Sequence, residues 1–333
     1  MHIPDGYLSP TTSATMYAVS APFIIKASGE IKKKFNRTSL PLVGVFGAFS
    51  FVIMMFNLPL PGGTTAHAVG TVLSAVVLGP WLSMLATSLA LVIQAIFFGD
   101  GGILTLGANI FNMAIVMSLV GYGVFLLLKK LFRGKVLVAV SAGVAGYIAI
   151  NVAALCAGIE LGVQPLLFKN AAGQALYFPY PLWVSIPAML LGHLLVAGVA
   201  EMVVTYFGYS WIARQYPSLL HEKKEETKGR MRNVFLILTI LIFLAPMGLI
   251  APGTAWGEWS RGELGKMGIG YIPAGFDKWN SLWSAPLSGY DVSILHNSIV
   301  GYIVSALVGV ACIIGVFTGV QWLLVKINKT HTA

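Results

Sequence analysis

The sequence predicts an all-α polytopic membrane protein. Of its 333 residues, 57% are hydrophobic and only 10% are charged, whereas about a quarter of the residues in soluble domains carry charge. The few charges are bunched between long apolar runs, a pattern typical of spanning helices that alternate with loops. We therefore expect a chain embedded in lipid, at the cell inner membrane.

Nine apolar runs are long enough for a hydrocarbon core of ~30 Å. Seven precede a charged segment and two follow it, which predicts a seven-helix bundle plus two C-terminal transmembrane helices. The third and fourth runs abut at Gly79-Pro80, so a broken or tilted pair is an alternative there. The runs lie near residues 10–26, 40–57, 66–80, 81–98, 104–128, 136–160, 182–207, 233–252 and 298–325.

The basic residues predict the orientation. When nine spans are threaded, four groups of Lys and Arg fall on one side, and loops rich in these residues face the cytoplasm. The N-terminus is therefore expected outside and the C-terminus in the cytoplasm, and the net charge of +9 reflects topology rather than nucleic-acid binding. The four groups are Lys26, Lys32, Lys33, Lys34 and Arg37; Lys129, Lys130, Arg133 and Lys135; Arg214 with the run 221–232; and Lys326 and Lys329.

Residues 214–232 are polar, charged and free of apolar periodicity, which predicts a cytoplasmic linker. It separates a domain of about seven spans, 1–213, from a two-span domain, 233–333. The second domain includes an external loop, 253–297, and loops of this length are usually functional. Its tryptophans are expected either at the membrane surface or over a binding site: Trp256, Trp259, Trp279 and Trp283.

The N-terminus carries the sharpest candidate site. Met1-His2 lacks a signal-peptide pattern, so we expect the Met1 amine to persist. This amine, the His2 backbone nitrogen and the His2 imidazole Nδ1 form one five- and one six-membered chelate ring. Nickel(II) and copper(II) favour a planar arrangement of such nitrogens. The alternative is that His2 is incidental in a short external tail.

His67 is the candidate for a fourth nitrogen. It ends the sequence Pro-Gly-Gly-Thr-Thr-Ala-His at the predicted external start of a span, and neutral imidazole suits nickel, cobalt, copper and zinc. The alternative is a helix-end residue whose ring is satisfied by backbone. His193, in the middle of a predicted span, is either functional or an interhelical hydrogen-bonding group, and it stays unassigned.

Six polar residues on otherwise apolar segments or beside His67 are candidates for orienting the ligand histidines. The alternative is that they join helices by hydrogen bonds and take no part in binding. They are Thr64, Thr65, Gln94, Asp100, Asn109 and Asn112.

Several catalytic patterns are absent from the sequence. No G-x-x-x-x-G-K-[ST] loop and no H-E-x-x-H or Ser-His-Asp pattern occurs. Cys156 and Cys312 stand alone in apolar runs, which argues against a disulfide framework or a CxxC metal site. We therefore expect a protein that is not an enzyme, with no catalytic cofactor and with any ATP hydrolysis on separate proteins.

Three motifs carry a family resemblance: the opening Met-His-Ile-Pro-Asp-Gly-Tyr-Leu, the Pro-Gly-Gly-Thr-Thr-Ala-His segment, and Phe-Phe-Gly-Asp-Gly-Gly followed by Gly-Ala-Asn-Ile-Phe-Asn-Met. Over about residues 1–210 the chain resembles the substrate-capture subunit (S component, NikM/CbiM type) of nickel and cobalt energy-coupling factor transporters. The two C-terminal spans resemble the two-span companion protein (NikN/CbiN-like) of these systems, here fused.

The resemblance implies a seven-helix bundle that tucks its own N-terminus inward. It implies a metal bound by the Met1 amine, the His2 backbone and imidazole nitrogens, and His67. The implied partners are a membrane coupling (T) subunit and cytosolic ATPase subunits. Because nickel and cobalt members share the N-terminal signature, the transported substrate is expected to be Ni(II) or Co(II).

Two other functions stay open from the sequence. A membrane scaffold subunit would bind no metal. An ATP-independent secondary carrier would often show inverted repeats and buried acidic residues, whereas Glu160 and Glu201 lie near predicted span ends.

Overall fold

The computed structural model describes residues 1–33, 39–60, 63–220, 231–251 and 253–330. Within these ranges the chain is mostly helical. Lys34, Arg37, Pro61, Gly62 and residues 221–230 of the predicted linker lie outside them. The helices are α1 (Pro10–Lys33), α2 (Ser39–Met54), α3 (Thr71–Leu78), α4 (Pro80–Ile93), α5 (Leu106–Asn109), α6 (Met117–Leu131), α7 (Lys135–Gly162), α8 (Gln164–Leu167), α9 (Leu182–Gly192), α10 (Gly198–Gln215), α11 (Met231–Leu244), α12 (Arg261–Lys266), α13 (Ala274–Trp279) and α14 (Ser298–Thr330).

Among the described residues, six helical segments are long and apolar enough to cross a membrane. They match the last six of the nine predicted runs, and the second run forms the shorter apolar helix Leu40–Met54. The first run forms α1, which falls outside the six. The orientation and the domain boundaries stay predictions. The six segments are Pro80–Phe98, Leu106–Leu131, Lys135–Leu167, Leu182–Gln215, Arg232–Ile250 and Ser298–Lys326.

The predicted span at 66–80 is wrong. Its helix, α3, has only 8 residues, so it rises about 12 Å and cannot cross a hydrocarbon core of ~30 Å. It begins after Gly70 at a φ of 75° and ends at Gly79 at a φ of 84°, conformations that a helix does not continue through. Pro80 then starts α4. The third and fourth runs are therefore a broken pair, the alternative that the sequence left open.

The all-α prediction also needs a correction. Two short strands, β1 (Leu58–Leu60) and β2 (Thr64–Ala66), pair antiparallel, with Leu58 opposite Ala66. The pairing satisfies backbone groups of the segment that precedes His67, which otherwise would need partners in an apolar surrounding. The hairpin therefore fixes the approach to His67.

Three of the spanning segments contain a π-helical turn, at Gln94–Phe98, Ile110–Val116 and His193–Ala197. Gln94, Asn112 and His193, all singled out from the sequence, lie within these turns. π-Helical turns inside α-helices are frequent at functional sites, since they redirect side chains out of the regular register. The polar groups of the bundle are thus placed by local departures from α-helical geometry.

The C-terminal helix packs onto the first part of the chain through small residues. Gly309 of α14 lies so close to α2 that a Cβ there would be 2.1 Å from Phe51 Cζ. Phe51 is fully buried and lies in the same hydrophobic cluster as residues of α7 and α14. The two predicted domains therefore share one core among the described residues.

Gly309→Ala should destabilise the protein. The added methyl group has no room beside the Phe51 ring, and overpacking of this kind typically costs about 1–3 kcal/mol. Gly315→Ala, on the same helix, is the matched control, because nothing lies within 4 Å of a Cβ there. Thermal unfolding in detergent should show a lower midpoint for Gly309→Ala only. Equal midpoints for the two variants would contradict the packing of α14 on α2.

Candidate metal-binding site

The first residues of the chain lie inside the bundle, held by the peptide groups of Ile3. The Ile3 N–H donates to Asn109 Oδ1 at 2.8 Å, and Asn109 Nδ2 donates back to the Ile3 carbonyl at 3.1 Å. The same carbonyl also accepts from the Gly102 N–H at 3.0 Å and from the Thr105 hydroxyl. Asn109 is 1% exposed. The strongest attachment of the N-terminal segment is therefore one residue beyond His2.

Asp5 adds a second attachment. Its carboxylate accepts from the backbone N–H groups of Ile103 at 3.0 Å and Thr105 at 3.2 Å. Burial raises the pKa of Asp5, and these backbone donors oppose the rise. A Cβ at Gly102 would lie 2.0 Å from Asp5 Oδ1, so only glycine fits there. The Gly-Asp-Gly-Gly sequence and the residues after it thus form the surface on which the N-terminal segment packs.

Both ring nitrogens of His2 face polar side chains. Nε2 lies 3.2 Å from Gln94 Oε1, and Nδ1 lies 3.1 Å from Asp100 Oδ1. The second contact has an ion-pair distance but not the direction of a hydrogen bond, so Nδ1 has no hydrogen-bond partner among the described residues. In the neutral ring that donates from Nε2 to the amide oxygen, Nδ1 carries the lone pair. Nδ1 is the nitrogen that the chelate requires.

His67 presents its free nitrogen beside His2. Its Nδ1 lies 3.0 Å from the Ala68 carbonyl, and a carbonyl only accepts, so Nδ1 carries the proton. Nε2 is buried with no hydrogen-bond partner among the described residues. Burial, then the neighbouring N-terminal ammonium and His2, lower the pKa of His67 well below its usual value. The two rings lie 5.1 Å apart, centroid to centroid, with a tilt of 34°.

The Met1 amine pairs with a residue that sequence reasoning missed. Its ammonium donates to Glu258 Oε1 at 3.2 Å. Glu258 lies in the 253–297 loop, and a distant loop carboxylate has no sequence signal that links it to the N-terminus. Ligand atoms of His2, Asp100 and Glu258 all lie within 4.8 Å of one another. Two carboxylates therefore border the candidate ligands.

Glu201 is a second residue that sequence reasoning did not place at the site. It is buried on α10, and its Oε2 accepts from the backbone N–H groups of Val69 at 2.7 Å and Gly70 at 2.9 Å. These peptide groups directly follow His67 and precede α3. Glu201 therefore fixes the loop that carries His67, together with the β1–β2 hairpin on its other side.

The remaining predicted residues divide into two groups. Thr64 and Thr65 contact the C-terminal loop: the Thr64 hydroxyl donates to the Thr254 carbonyl at 2.9 Å, and Thr65 forms a backbone bridge with Ala255. Asn112 lies elsewhere, donating from Nδ2 to Glu160 Oε2 at 2.8 Å.

His193 lies close enough to the histidine pair to interact electrostatically with His67. Its Nδ1 lies 2.7 Å from the Met189 carbonyl of its own helix, and its side chain lines a cavity of about 280 Å³ that Met1 also borders.

The family comparison identifies relatives along most of the chain. The family model described as CbiM, cobalt uptake substrate-specific transmembrane region, matches residues 2–219. The fused nickel transport protein NikMN of Rhodobacter capsulatus is 46% identical over 330 residues, covering 94% of this chain and 95% of that protein. The probable fused nickel transport protein LarMN of Lactiplantibacillus plantarum is 44% identical, covering 96% of this chain and 98% of its own length.

Solved structures show the same fold. A crystal structure of a truncated transition metal transporter is 51% identical and superposes with a TM-score of 0.61, covering 64% of this chain and 99% of that one.

Asn109→Ala should loosen the N-terminal segment. The buried Ile3 N–H loses its acceptor, and such an unsatisfied group costs about 1–3 kcal/mol. Hydrogen exchange measured by mass spectrometry should show faster exchange in the N-terminal peptide. Asn170→Ala is the control, because Asn170 hydrogen-bonds only within an exposed turn at 170–174. Unchanged exchange in the Asn109 variant would contradict the attachment at Ile3.

Proposed function

The chain belongs to the CbiM family of cobalt uptake substrate-specific transmembrane regions, and we propose that it is the metal-capture subunit (S component) of an energy-coupling factor transporter that imports Ni(II) or Co(II). The family is one of membrane transport proteins, not of enzymes. The observation that carries the proposal is the buried, unpartnered Nε2 of His67 beside the ring of His2. Buried polar groups rarely lack partners, and their exceptions ask for a ligand.

The proposed ligands are the Met1 amine, the His2 backbone nitrogen, His2 Nδ1 and His67 Nε2. Both imidazole nitrogens carry lone pairs in the tautomers that their hydrogen bonds favour. The amine must lose a proton and leave Glu258, and the His2 amide must lose its proton as well. Metal binding therefore releases protons.

The nitrogen set favours nickel as substrate. Four nitrogens that include a deprotonated amide make a strong planar field, which suits Ni(II). The relatives that match nearly the whole chain are named as nickel transport proteins, whereas the family description names cobalt. Copper binds such nitrogens more tightly, so it competes in vitro.

The proposed partners are a membrane coupling (T) subunit and cytosolic ATPase subunits. The sequence has no phosphate-binding loop of the G-x-x-x-x-G-K-[ST] type, so the energy for release into the cell comes from other proteins. Two relatives named as fused nickel transport proteins match this chain over 95% and 98% of their own length.

Two buried glutamates of the bundle bear on the alternative of a secondary carrier. Glu160 accepts from Asn112, and Glu201 accepts from two backbone N–H groups. One oxygen of each carboxylate is therefore satisfied, whereas Glu160 Oε1 and Glu201 Oε1 have no hydrogen-bond partner among the described residues. A scaffold without metal binding would leave the His67 Nε2 unexplained.

The N-terminal chelate is tested by adding two residues before Met1, because a single added residue would make the histidine third in the chain and create a new chelate of amine, amide and imidazole nitrogens. The extension converts the amine into an amide, so nickel affinity should fall by more than about 100-fold, beyond the usual effect of residues that only orient ligands. Nickel content and affinity are measured on purified protein with a native N-terminus and a C-terminal tag. His67→Ala should cause a similar loss. Equal binding by native and extended protein rules out the amine as a ligand, and absence of metal from both favours the scaffold.

Transport is tested in liposomes. The chain alone should not accumulate nickel, because it has no means of using ATP, and uptake should require the coupling subunit, the ATPases and ATP. Accumulation by the chain alone along an ion gradient would favour the secondary carrier instead.

A further inference from the structure

Tyr290 of the C-terminal loop has an unusual backbone conformation. Its φ is +61°, in a region that bulky side chains rarely adopt and that is often found at functional sites. The residue is 7% exposed, and its ring stacks on Phe98 at 4.8 Å with a tilt of 18°. Phe98 directly precedes Gly99-Asp100, so the strained loop delivers the Tyr290 side chain to the edge of the candidate metal site.

The Tyr290 hydroxyl contacts both side chains that face His2. It donates to Asp100 Oδ2 at 2.5 Å and accepts from Gln94 Nε2 at 3.0 Å. The second oxygen of Asp100, Oδ1, faces His2 Nδ1, and the amide oxygen of Gln94, Oε1, faces His2 Nε2. The Tyr290 hydroxyl, which belongs to the C-terminal loop, therefore links the Gln94 amide and the Asp100 carboxylate by hydrogen bonds on either side of the His2 ring.

The direction of these hydrogen bonds determines the tautomer of His2. The phenol donates to a carboxylate, which only accepts, so the phenol oxygen is left to accept from the Gln94 NH₂ group. A weaker contact of 3.5 Å from Gln94 Nε2 to Asp100 Oδ2 has the same sense. The amide oxygen of Gln94 then faces His2 Nε2, which must donate a proton. In the neutral ring, Nδ1 is then left with the lone pair.

We propose that Tyr290 is a positioning residue for the metal site, one that sets the orientation and tautomer of the His2 imidazole through Gln94 and Asp100. The inference rests on the proposed function, since it assigns to the fused C-terminal part a share in metal affinity. It also gives a reason for the strained backbone at Tyr290. Burial and the Asp100 carboxylate raise the pKa of Tyr290 well above its usual value, so its hydroxyl keeps the proton that it donates.

The test removes the hydroxyl and keeps the ring. In Tyr290→Phe the stack on Phe98 is retained, but Gln94 is free to turn its amide and offer either end to His2. Nickel affinity should fall about 10- to 100-fold, the range for residues that orient metal ligands. The ligand-field absorption bands of bound nickel should also shift, because the His2 ring is less well ordered. Affinity is measured by competition with a chelator on the full chain with a native N-terminus.

Tyr302→Phe is the matched control. The Tyr302 hydroxyl donates to the Met55 carbonyl at 2.9 Å, and its ring lies 5.4 Å from that of Tyr290. This variant also loses one buried tyrosine hydroxyl at the same interface, but it does not touch Gln94 or Asp100 through that group. It should bind nickel with the affinity and spectrum of the unaltered protein. An equal loss of affinity in both variants would assign the effect to docking of the loop and overturn the inference.

A double-mutant cycle tests the route of the effect. If Tyr290 acts by orienting the Gln94 amide, Tyr290→Phe should add little to the loss caused by Gln94→Leu. Fully additive losses would show that Tyr290 does not act through Gln94 and would overturn the proposed control of the His2 tautomer. Nickel binding by the unaltered protein distinguishes failure of the proposed function from failure of this inference. If the unaltered protein binds no nickel, the proposed function is refuted. If it binds nickel and Tyr290→Phe changes neither the affinity nor the spectrum, only this inference is refuted.

Discussion

The hydrogen bonds between Ile3 and Asn109 are the constraint on which the site depends. A chain terminus brings peptide groups and a charge into an apolar bundle, and each buried polar group needs a partner. Asn109 satisfies both peptide groups of Ile3, and the ring of His2, one residue earlier, lies beside that of His67. The need for such partners explains why amide and carboxyl side chains occur on helices that otherwise face lipid or core.

The C-terminal part completes this arrangement from the opposite side. Glu258 pairs with the Met1 ammonium, Tyr290 joins Gln94 to Asp100, and the Trp259 carbonyl accepts from the Tyr7 hydroxyl at 2.8 Å. Trp259 itself is 8% exposed, and its ring stacks on that of Phe178. Trp259 therefore packs against the N-terminal segment at Tyr7. The close packing of α14 on α2 fixes the end of the 253–297 loop relative to the bundle that holds the N-terminus.

The sequence predicted the parts of the molecule that depend on composition and local pattern. Apolar length gave the six long segments, and chelate chemistry with the family resemblance gave Met1, His2 and His67 as neighbours. Length alone misjudged 66–80, where two left-handed glycines and a strand cut an apolar run into an 8-residue helix. Glu201, Glu258 and Tyr290 were not placed at the site because they reach it from more than 130 residues away in the chain. Residues that orient ligands from afar leave no spacing pattern to detect.

Charge balance explains how such a buried site can exist both with a protonated amine and with a bound divalent metal. With the amine protonated, its positive charge is offset by Glu258. In the proposed complex, a divalent cation replaces one proton of the ammonium and one of the His2 amide, so two positive charges leave and two arrive. The net charge within the pocket stays the same, and the surrounding carboxylates, Asp100 and Glu258, need not change protonation. Because burying an uncompensated charge is costly, this exchange favours a divalent metal over ions of other charge.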